Sequence, residues 1–562
     1  MFWSLVRARP MWRISRGLAG RAIPRAGVLE RFDFPDSTEP SQHGCLGRVG
    51  EDVSVRLKGM KDQLIREILL ARQRVYSLAS ATPLQRLDIQ ADFDCFIKRE
   101  DLSPINAYKW RGAYNCMAQL SEEELARGVV TASAGNHAQG VALSAKKLGT
   151  RARIFMPHST PKMKQVAVRR HGGENVEVCL IGDSYDEASA EARRVSADEG
   201  ITYIHAYDDL QVMAGQGTIA DEIALSGEGP FDVVFIQIGG GGLAASVATW
   251  LKEIYPSIRV IGVEGEHQAS MAAAVKAGKP VTLDYVDVFC DGTAVKQVGD
   301  LTYPVCRDAI DEFVTVSNDE VSAAIEVLWN TIRVIPEPSG AMGLAGVLKK
   351  QSELSGKKVV TILCGANMDF HQLGKISSAA GIGSDTERYF RFHIKESSGE
   401  LLRLLEAGMA EFNITDFQYG KTHVSDSWPI LGVQGESEEL LRLPDKLTKA
   451  GIEFEDVTSS PDVTFRVIPF RSQLVSHPYF IELEFPERKG ALHDFLSSVK
   501  ASANICYFNY EYTGERVGRA LIGFEFSEAE AKDSFVEGMA SEHWRFRAFQ
   551  ELPERAVSRI VD

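Results

Sequence analysis

Residues 232–243 read Asp-Val-Val-Phe-Ile-Gln-Ile-Gly-Gly-Gly-Gly-Leu. An apolar run this continuous, without polar alternation, predicts a strand buried on both faces, as in a parallel sheet covered by helices on either side. Leu243–Ile254 then has helical Ala/Leu character, so the four glycines lie at a strand-to-helix turn. The pattern recurs from about residue 60 to 380. Strand-like runs at 152–156, 259–263 and 359–363 alternate with helical stretches such as Tyr185–Glu199. This alternation predicts an α/β fold with parallel sheets.

Glycines at such a turn let several peptide N–H groups converge on one anion at the positive end of a helix, which makes 239–242 a phosphate cradle. Gly240-x-Gly242-x-x-Ala245 also fits the dinucleotide fingerprint, with Glu264 placed as a ribose-binding acid. A nicotinamide dehydrogenase is therefore a rival reading. Two further stretches bear on the choice. Lys98-Arg99-Glu100-Asp101 precedes Ala107-Tyr108-Lys109-Trp110-Arg111-Gly112-Ala113, where a desolvated Lys109 would be a Schiff-base nucleophile. Thr131-Ala132-Ser133-Ala134-Gly135-Asn136-His137 follows Val129-Val130 and forms another strand-to-helix turn, able to offer N–H groups and small hydroxyls to a carboxylate.

After residue 385 a repeat appears. Gly399, Leu401, Leu405, Asn413-Ile414, Phe417 and Tyr419 recur 91 residues later as Gly490, Leu492, Leu496, Asn504-Ile505, Phe508 and Tyr510. Each copy predicts a strand, a turn, a helix (400–411 and 491–502) and a strand beginning Asn-Ile. Repetition at one offset marks two small α+β modules packed together.

In this order, KREDLSPINAYKWRGA, TASAGNHAQG, GGGGL, EPSGA (337–341) and CGANMDFH (364–371) resemble the fold-type II pyridoxal-phosphate enzymes, most closely the biosynthetic threonine dehydratases. The resemblance covers roughly residues 60–562. It implies a tryptophan synthase β-like catalytic part over 56–384 and ACT-like modules over 385–474 and 475–562, after a leader and linker at 1–55. It further implies that Lys109 binds pyridoxal 5'-phosphate covalently, Asn136 meets its ring hydroxyl, Gly239–Leu243 bind its phosphate and Cys364 faces its pyridine nitrogen. Glu337 would lie near the ring, and Ser133, Asn136 and His137 in the loop gripping the substrate carboxylate. The implied reaction is dehydration and deamination of L-threonine to 2-oxobutanoate and ammonia, at the start of isoleucine biosynthesis. L-Serine is an alternative preferred substrate, and a catalytically dead amino-acid sensor is the alternative of another class. Serine racemases carry a serine where Ala134 stands, so dehydration is favoured over racemisation. The modules imply inhibition by isoleucine, opposed by valine, in a homotetramer. The dehydrogenase reading leaves the Lys109 and Asn136 motifs unexplained. No metal is expected, because Gln268 and Ser270 stand where ligands beyond Glu264 would be needed.

Composition is consistent with this. Of 562 residues, 62 are Lys or Arg and 77 Asp or Glu, and a net charge of −15 argues against nucleic-acid binding. Six arginines and no acid fall within residues 1–29, so the remainder carries −21. That Arg-rich, acid-free stretch predicts an organellar transit peptide, for the mitochondrial matrix or alternatively a plastid. Pro35, Pro40 and a polar, aperiodic 30–55 predict a linker. Eight dispersed cysteines without a C-x-x-C pair point to a reducing compartment. The uncharged 233–251 contains four glycines and is too weakly apolar for a membrane span.

Overall fold

The computed structural model describes residues 49–561 apart from 487–489, 500–501, 513–516, 540–545 and 547–548, so the leader and most of the linker lie outside the described residues. A helix spans Val49–Leu78, beginning before the expected end of the linker at residue 55, because the last prolines of that region are at 35 and 40 and none interrupts the helix.

Strands β1 (Leu84–Leu87) and β2 (Asp94–Arg99) open a first sheet. The chain then leaves it to build a second, from β3 (Val129–Ala132), β4 (Ala152–Met156), β5 (Val176–Leu180) and β6 (Thr202–Tyr203), before returning with β7 (Val233–Gln237), β8 (Arg259–Gly265), β9 (Glu312–Val316) and β10 (Lys358–Leu363). The first sheet has the order β1-β2-β10-β7-β8-β9, with only β1 antiparallel. The second has the order β5-β4-β3-β6 and is wholly parallel.

The missing alternation in 232–238 has a direct explanation. Val234 and Ile236 enter one core with Leu243, Val247 and Leu251. Val233 and Phe235 enter the opposite core with Leu344 and Leu328. Both faces of the strand must therefore be apolar.

The C-terminal part begins after the helix Gln372–Gly383, which packs so closely on the helix Asn318–Ile332 that a Cβ at Gly383 would overlap the Asp319 carbonyl. Strands β11 (Glu387–Lys395), β12 (Asn413–Gly420), β13 (Asp426–Ser427), β14 (Ile430–Gln434) and β15 (Glu453–Asp456) belong to the first repeat. Those of the second are β16 (Tyr479–Pro486), β17 (Asn504–Glu511), β18 (Val517–Glu525) and β19 (Phe549–Glu551). All nine form one sheet, in which β12 pairs antiparallel with β17 and joins the modules edge to edge. Phe417 and Phe508, equivalent positions of the repeat, stack at 4.4 Å across that seam. The modules share one hydrophobic core and each covers the other's open edge. The repeat helices are Glu400–Glu406 and Ala491–Val499. The first ends earlier than its apolar pattern suggests, at Ala407 just before Gly408.

Candidate active site

Strand order creates the site. β10 lies between β2 and β7 and runs parallel to both, so the segments leaving their C-terminal ends meet at one edge of the sheet. From β7 comes Gly239–Gly242, from β10 comes Cys364, and beyond β2 comes Lys109. The Lys109 segment is tied to the segment after β10 by Tyr108 N–H to the Cys364 carbonyl (3.1 Å), Ala366 N–H to the Asn106 carbonyl (2.9 Å) and a bridge between Ala107 and Gly365. The second sheet adds Asn136, which opens the helix Asn136–Leu148 just after β3. Between the two sheets lies a cavity lined by Lys109, Asn136, Gly239–Gly242, Leu243, Glu337 and Cys364, together with Tyr108, Tyr207, Thr293 and Ser339. A crevice at the carboxyl ends of parallel strands is where α/β proteins place ligands.

The glycines leave no alternative residue. A Cβ at Gly240 would overlap the Tyr207 ring, one at Gly242 would stand 2.8 Å from the Tyr207 carbonyl, and Gly241 has φ +95°. Among the described residues no hydrogen bond uses the peptide N–H groups from Gly239 to Ala244. They face the cavity at the start of the 13-residue helix Gly242–Ile254, an arrangement suited to a phosphate.

Lys109 immediately precedes the helix Trp110–Met117. Burial disfavours its charge, but the Tyr108 hydroxyl hydrogen-bonded to it, with Cys364 and Glu337 nearby, leaves its pKa above the ordinary lysine value. Burial pushes the Cys364 thiol up to about 12, so it is neutral, with Sγ donating to the Ser339 carbonyl at 3.4 Å. Glu337 precedes Pro338 at the start of a helix and is buried. Burial, helped by the Asp291 charge, pushes its carboxyl to about 7 against hydrogen bonds from Asn136 Nδ2 (2.7 Å) and Asn367 N–H (3.2 Å).

The structure separates the other expected residues. Ser133 Oγ accepts from Gly135 N–H at 3.2 Å and shapes the turn. His137 is turned away from the cavity: its Nε2 donates to the Ile204 carbonyl at 3.0 Å, and burial pushes its pKa down to about 3, so it is a neutral anchor. What this loop offers an anion is the peptide N–H set opening the helix Asn136–Leu148. Glu264 is consumed elsewhere, accepting from Met271 N–H (2.8 Å) and Ala272 N–H (2.9 Å) at the start of the helix Ser270–Ala277. It is a helix cap, and the ribose-binding role that the dehydrogenase reading required is not available to it.

Lys98 has a structural role. Its Nζ is fully buried, 2.6 Å from Glu222 and 3.3 Å from Glu100, while Arg111 holds the same two carboxylates at 2.8 Å (Glu100) and 2.6 Å (Glu222). Burial pushes Glu100 up, but Arg111 and Lys98 outweigh it and hold the carboxyl at about 2. Two cations and two anions thus lock the helix that starts after Lys109 onto the helix Leu210–Leu225. Sequence reasoning missed Asn367, although it lies inside CGANMDFH, and Tyr207, for which no sequence signal existed.

The groups lining the cavity fit pyridoxal phosphate: an amine, a cradle of free peptide N–H groups where a side chain would clash, an amide and a neutral thiol. Residues 76–365 match the family of pyridoxal-phosphate dependent enzymes, and residues 472–553 the C-terminal regulatory domain of threonine dehydratase. Fold and site together define an α/β pyridoxal-phosphate enzyme with a regulatory tail. The chain is 40% identical to the L-threonine dehydratase biosynthetic IlvA of Haemophilus influenzae over 491 residues, covering 86% of this chain and 94% of that one. It is 36% identical to the chloroplastic biosynthetic threonine dehydratase of Arabidopsis thaliana, covering 87% and 84%. The processed form of threonine deaminase isoform 2 from Solanum lycopersicum superimposes with a TM-score of 0.55 at 43% identity, over 57% of this chain and 93% of that one. The chain belongs to the biosynthetic threonine dehydratases.

Proposed function

We propose that this chain dehydrates and deaminates L-threonine to 2-oxobutanoate and ammonia using pyridoxal 5'-phosphate, in isoleucine biosynthesis. The observation that carries the reading is the convergence of Lys109, the glycine cradle and a neutral Cys364 on one cavity. Bound pyridoxal phosphate supplies an electron sink for the charge that develops at the substrate Cα.

The chain's own residues do the rest. Lys109 Nζ lines the cavity, where it would hold the cofactor covalently and, when free and neutral, would be placed to take the Cα proton. The Gly239–Leu243 N–H groups would hold the phosphate and Asn136 the ring oxygen. Cys364, neutral in the cavity wall, would offer the cofactor's pyridine nitrogen no charge, which would favour prompt loss of the β-hydroxyl over deeper delocalisation. The N–H groups opening Asn136–Leu148 receive the substrate carboxylate. Ala134 offers no proton-carrying group, which argues for elimination over racemisation although the chain resembles maize serine racemase at 32% identity.

Feedback inhibition by isoleucine, opposed by valine, is supported by the paired modules. Two equivalent depressions cross their junction, one between Gly490–Leu492 and Asn413-Ile414, the other between Gly399–Leu401 and Asn504-Ile505. Regulation requires each effector to bind two states of the enzyme unequally. The leader directs import into an organelle, the mitochondrial matrix or a plastid, and the enzyme works as a homotetramer.

The test is to add pyridoxal phosphate to purified protein, record its visible absorbance, and assay keto acid from L-threonine and L-serine, with and without isoleucine and valine. Neither signal in wild type, or full activity in Lys109→Ala, overturns the catalytic reading. Rates indifferent to isoleucine overturn the regulatory one. Light scattering checks the tetramer, and N-terminal sequencing of protein from each isolated organelle checks the leader.

A further inference from the structure

Asn367 lies three residues past Cys364 and makes three contacts that order the cavity wall. Its Nδ2 is 2.7 Å from the Ile105 carbonyl and 2.8 Å from Asn136 Oδ1, and its peptide N–H is 3.2 Å from Glu337 Oε2. Asn136 Nδ2 is in turn 2.7 Å from Glu337 Oε1.

The two ends of an asparagine amide are distinguished by their partners. A backbone carbonyl only accepts, so the Asn367 atom facing Ile105 must be the NH₂ group. Its second hydrogen goes to Asn136, whose facing atom must then be the oxygen. That leaves the Asn136 NH₂ toward Glu337. The reverse orientation would set the Asn136 nitrogen against the Asn367 nitrogen, a repulsive pair at hydrogen-bond distance, and its oxygen against a Glu337 oxygen, repulsive whenever that carboxyl is ionised. One Asn136 N–H is spent on Glu337, so the polar hydrogen left for the cavity is the other one, while its oxygen is turned toward Asn367.

We propose that Asn367, oriented by the Ile105 carbonyl, is a positioning residue that makes Asn136 a permanent hydrogen-bond donor to the ring oxygen of pyridoxal phosphate and so keeps that oxygen ionised. This deepens the functional reading above and rests on it. Asn367 need not touch the cofactor. Its effect is transmitted through the orientation of one amide, and it is felt as a property of the ring oxygen.

Asn367→Asp keeps the shape and replaces the donating NH₂ by an acceptor. The Asn136 amide then turns over to supply a donor, presenting oxygen where it had presented N–H, and the protonated ring oxygen is favoured. The experiment uses the full-length holoenzyme as wild type, N367D, N367A, N136A and N136A/N367A, with circular dichroism and thermal melts to check folding. The readouts are the cofactor's absorption spectrum across neutral pH and its dissociation constant from fluorescence. Expected in N367D are transfer of absorbance from the visible to the near-ultraviolet band, an upward shift of the pH at which the ring oxygen ionises, and cofactor binding about ten- to a hundredfold weaker, the scale of one hydrogen bond to a charged group. N367A shifts the same quantities in the same direction, and in the N136A background its effect disappears. Spectra of N367D and N367A that titrate like wild type, or an N367A effect undiminished in N136A, overturn the proposal. Should N367D fail to fold, N367A and the double-variant cycle decide. Wild type that binds no pyridoxal phosphate sinks the functional reading itself, whereas normal wild-type binding with unmoved variants sinks only the role of Asn367.

Discussion

Glu222→Ala isolates the buried charge quartet beneath Lys109. Glu222 accepts from Arg111 Nη1 (2.6 Å) and Nη2 (3.0 Å), Lys98 Nζ (2.6 Å) and Thr82 N–H (3.1 Å). With the carboxylate gone, Glu100 alone faces two cations whose side chains are fully buried, leaving one uncompensated positive charge and several donors unsatisfied. Breaking a buried pair by removing one partner costs about 3–5 kcal/mol. Total stability is typically about 5–15 kcal/mol, so this is a large fraction of it. The thermal midpoint of the catalytic part should fall by about 4–7 °C, at roughly 1.5 °C per kcal/mol for a part of about 330 residues. Urea unfolding followed by tryptophan fluorescence, on cofactor-free protein so that ligand binding does not offset the loss, gives the value directly. Glu222→Gln, which retains one acceptor and the volume, should lose less. A loss below about 1 kcal/mol in Glu222→Ala would show that water or relaxation compensates the charge, and would refute the claim that this quartet locks the helix following Lys109.

Gly240→Ala should weaken pyridoxal phosphate binding by more than about tenfold, because the new methyl overlaps Tyr207 and displaces the N–H cradle; an unchanged absorbance titration would count against the cradle. Glu337 has a folded pKa raised to about 7, so its contribution to stability is fully present below about 4.5 and is lost as pH rises through about 7. Glu337→Gln should remove that component from the melting temperature of the cofactor-free protein measured between about pH 5 and 8, and superimposable wild-type and variant profiles would refute it. Phe508→Ala removes one ring of the stacked pair at the module seam and should destabilise the regulatory half by about 3–5 kcal/mol in urea melts. A cost under about 1 kcal/mol would mean that the seam is not held by its core.

Much of this was legible in the chain itself. The strands at 152–156 and 359–363, the helix at 185–199 and the glycine turn follow from apolar periodicity and from what glycine permits, which are local properties. The repeat was equally plain, since two copies of one unit need the same residues at the same spacing. The edge-to-edge seam between the modules was not, because β12 and β17 pair only through register between segments some ninety residues apart.

The catalytic residue types were in the sequence too, but their roles divided only on folding. Lys98 and Lys109 look alike as lysines in apolar surroundings; one is neutralised by Glu100 and Glu222, and the other opens into the cavity. Asn136 and His137 are neighbours, yet the helix they begin turns one toward Glu337 and the other toward Ile204. Glu264 has the spacing of a ribose-binding acid and is instead used up by a helix start. The sequence by itself determined the elements, the glycine cradle and the duplicated tail, because each depends on residues close together in the chain. Only the tertiary structure decided that β10 lies between β2 and β7, which groups are desolvated, and which amide end faces the cavity. Burial, charge pairing and hydrogen-bond direction are set by contacts such as Asn367 to Ile105 and Arg111 to Glu222, between residues more than a hundred positions apart.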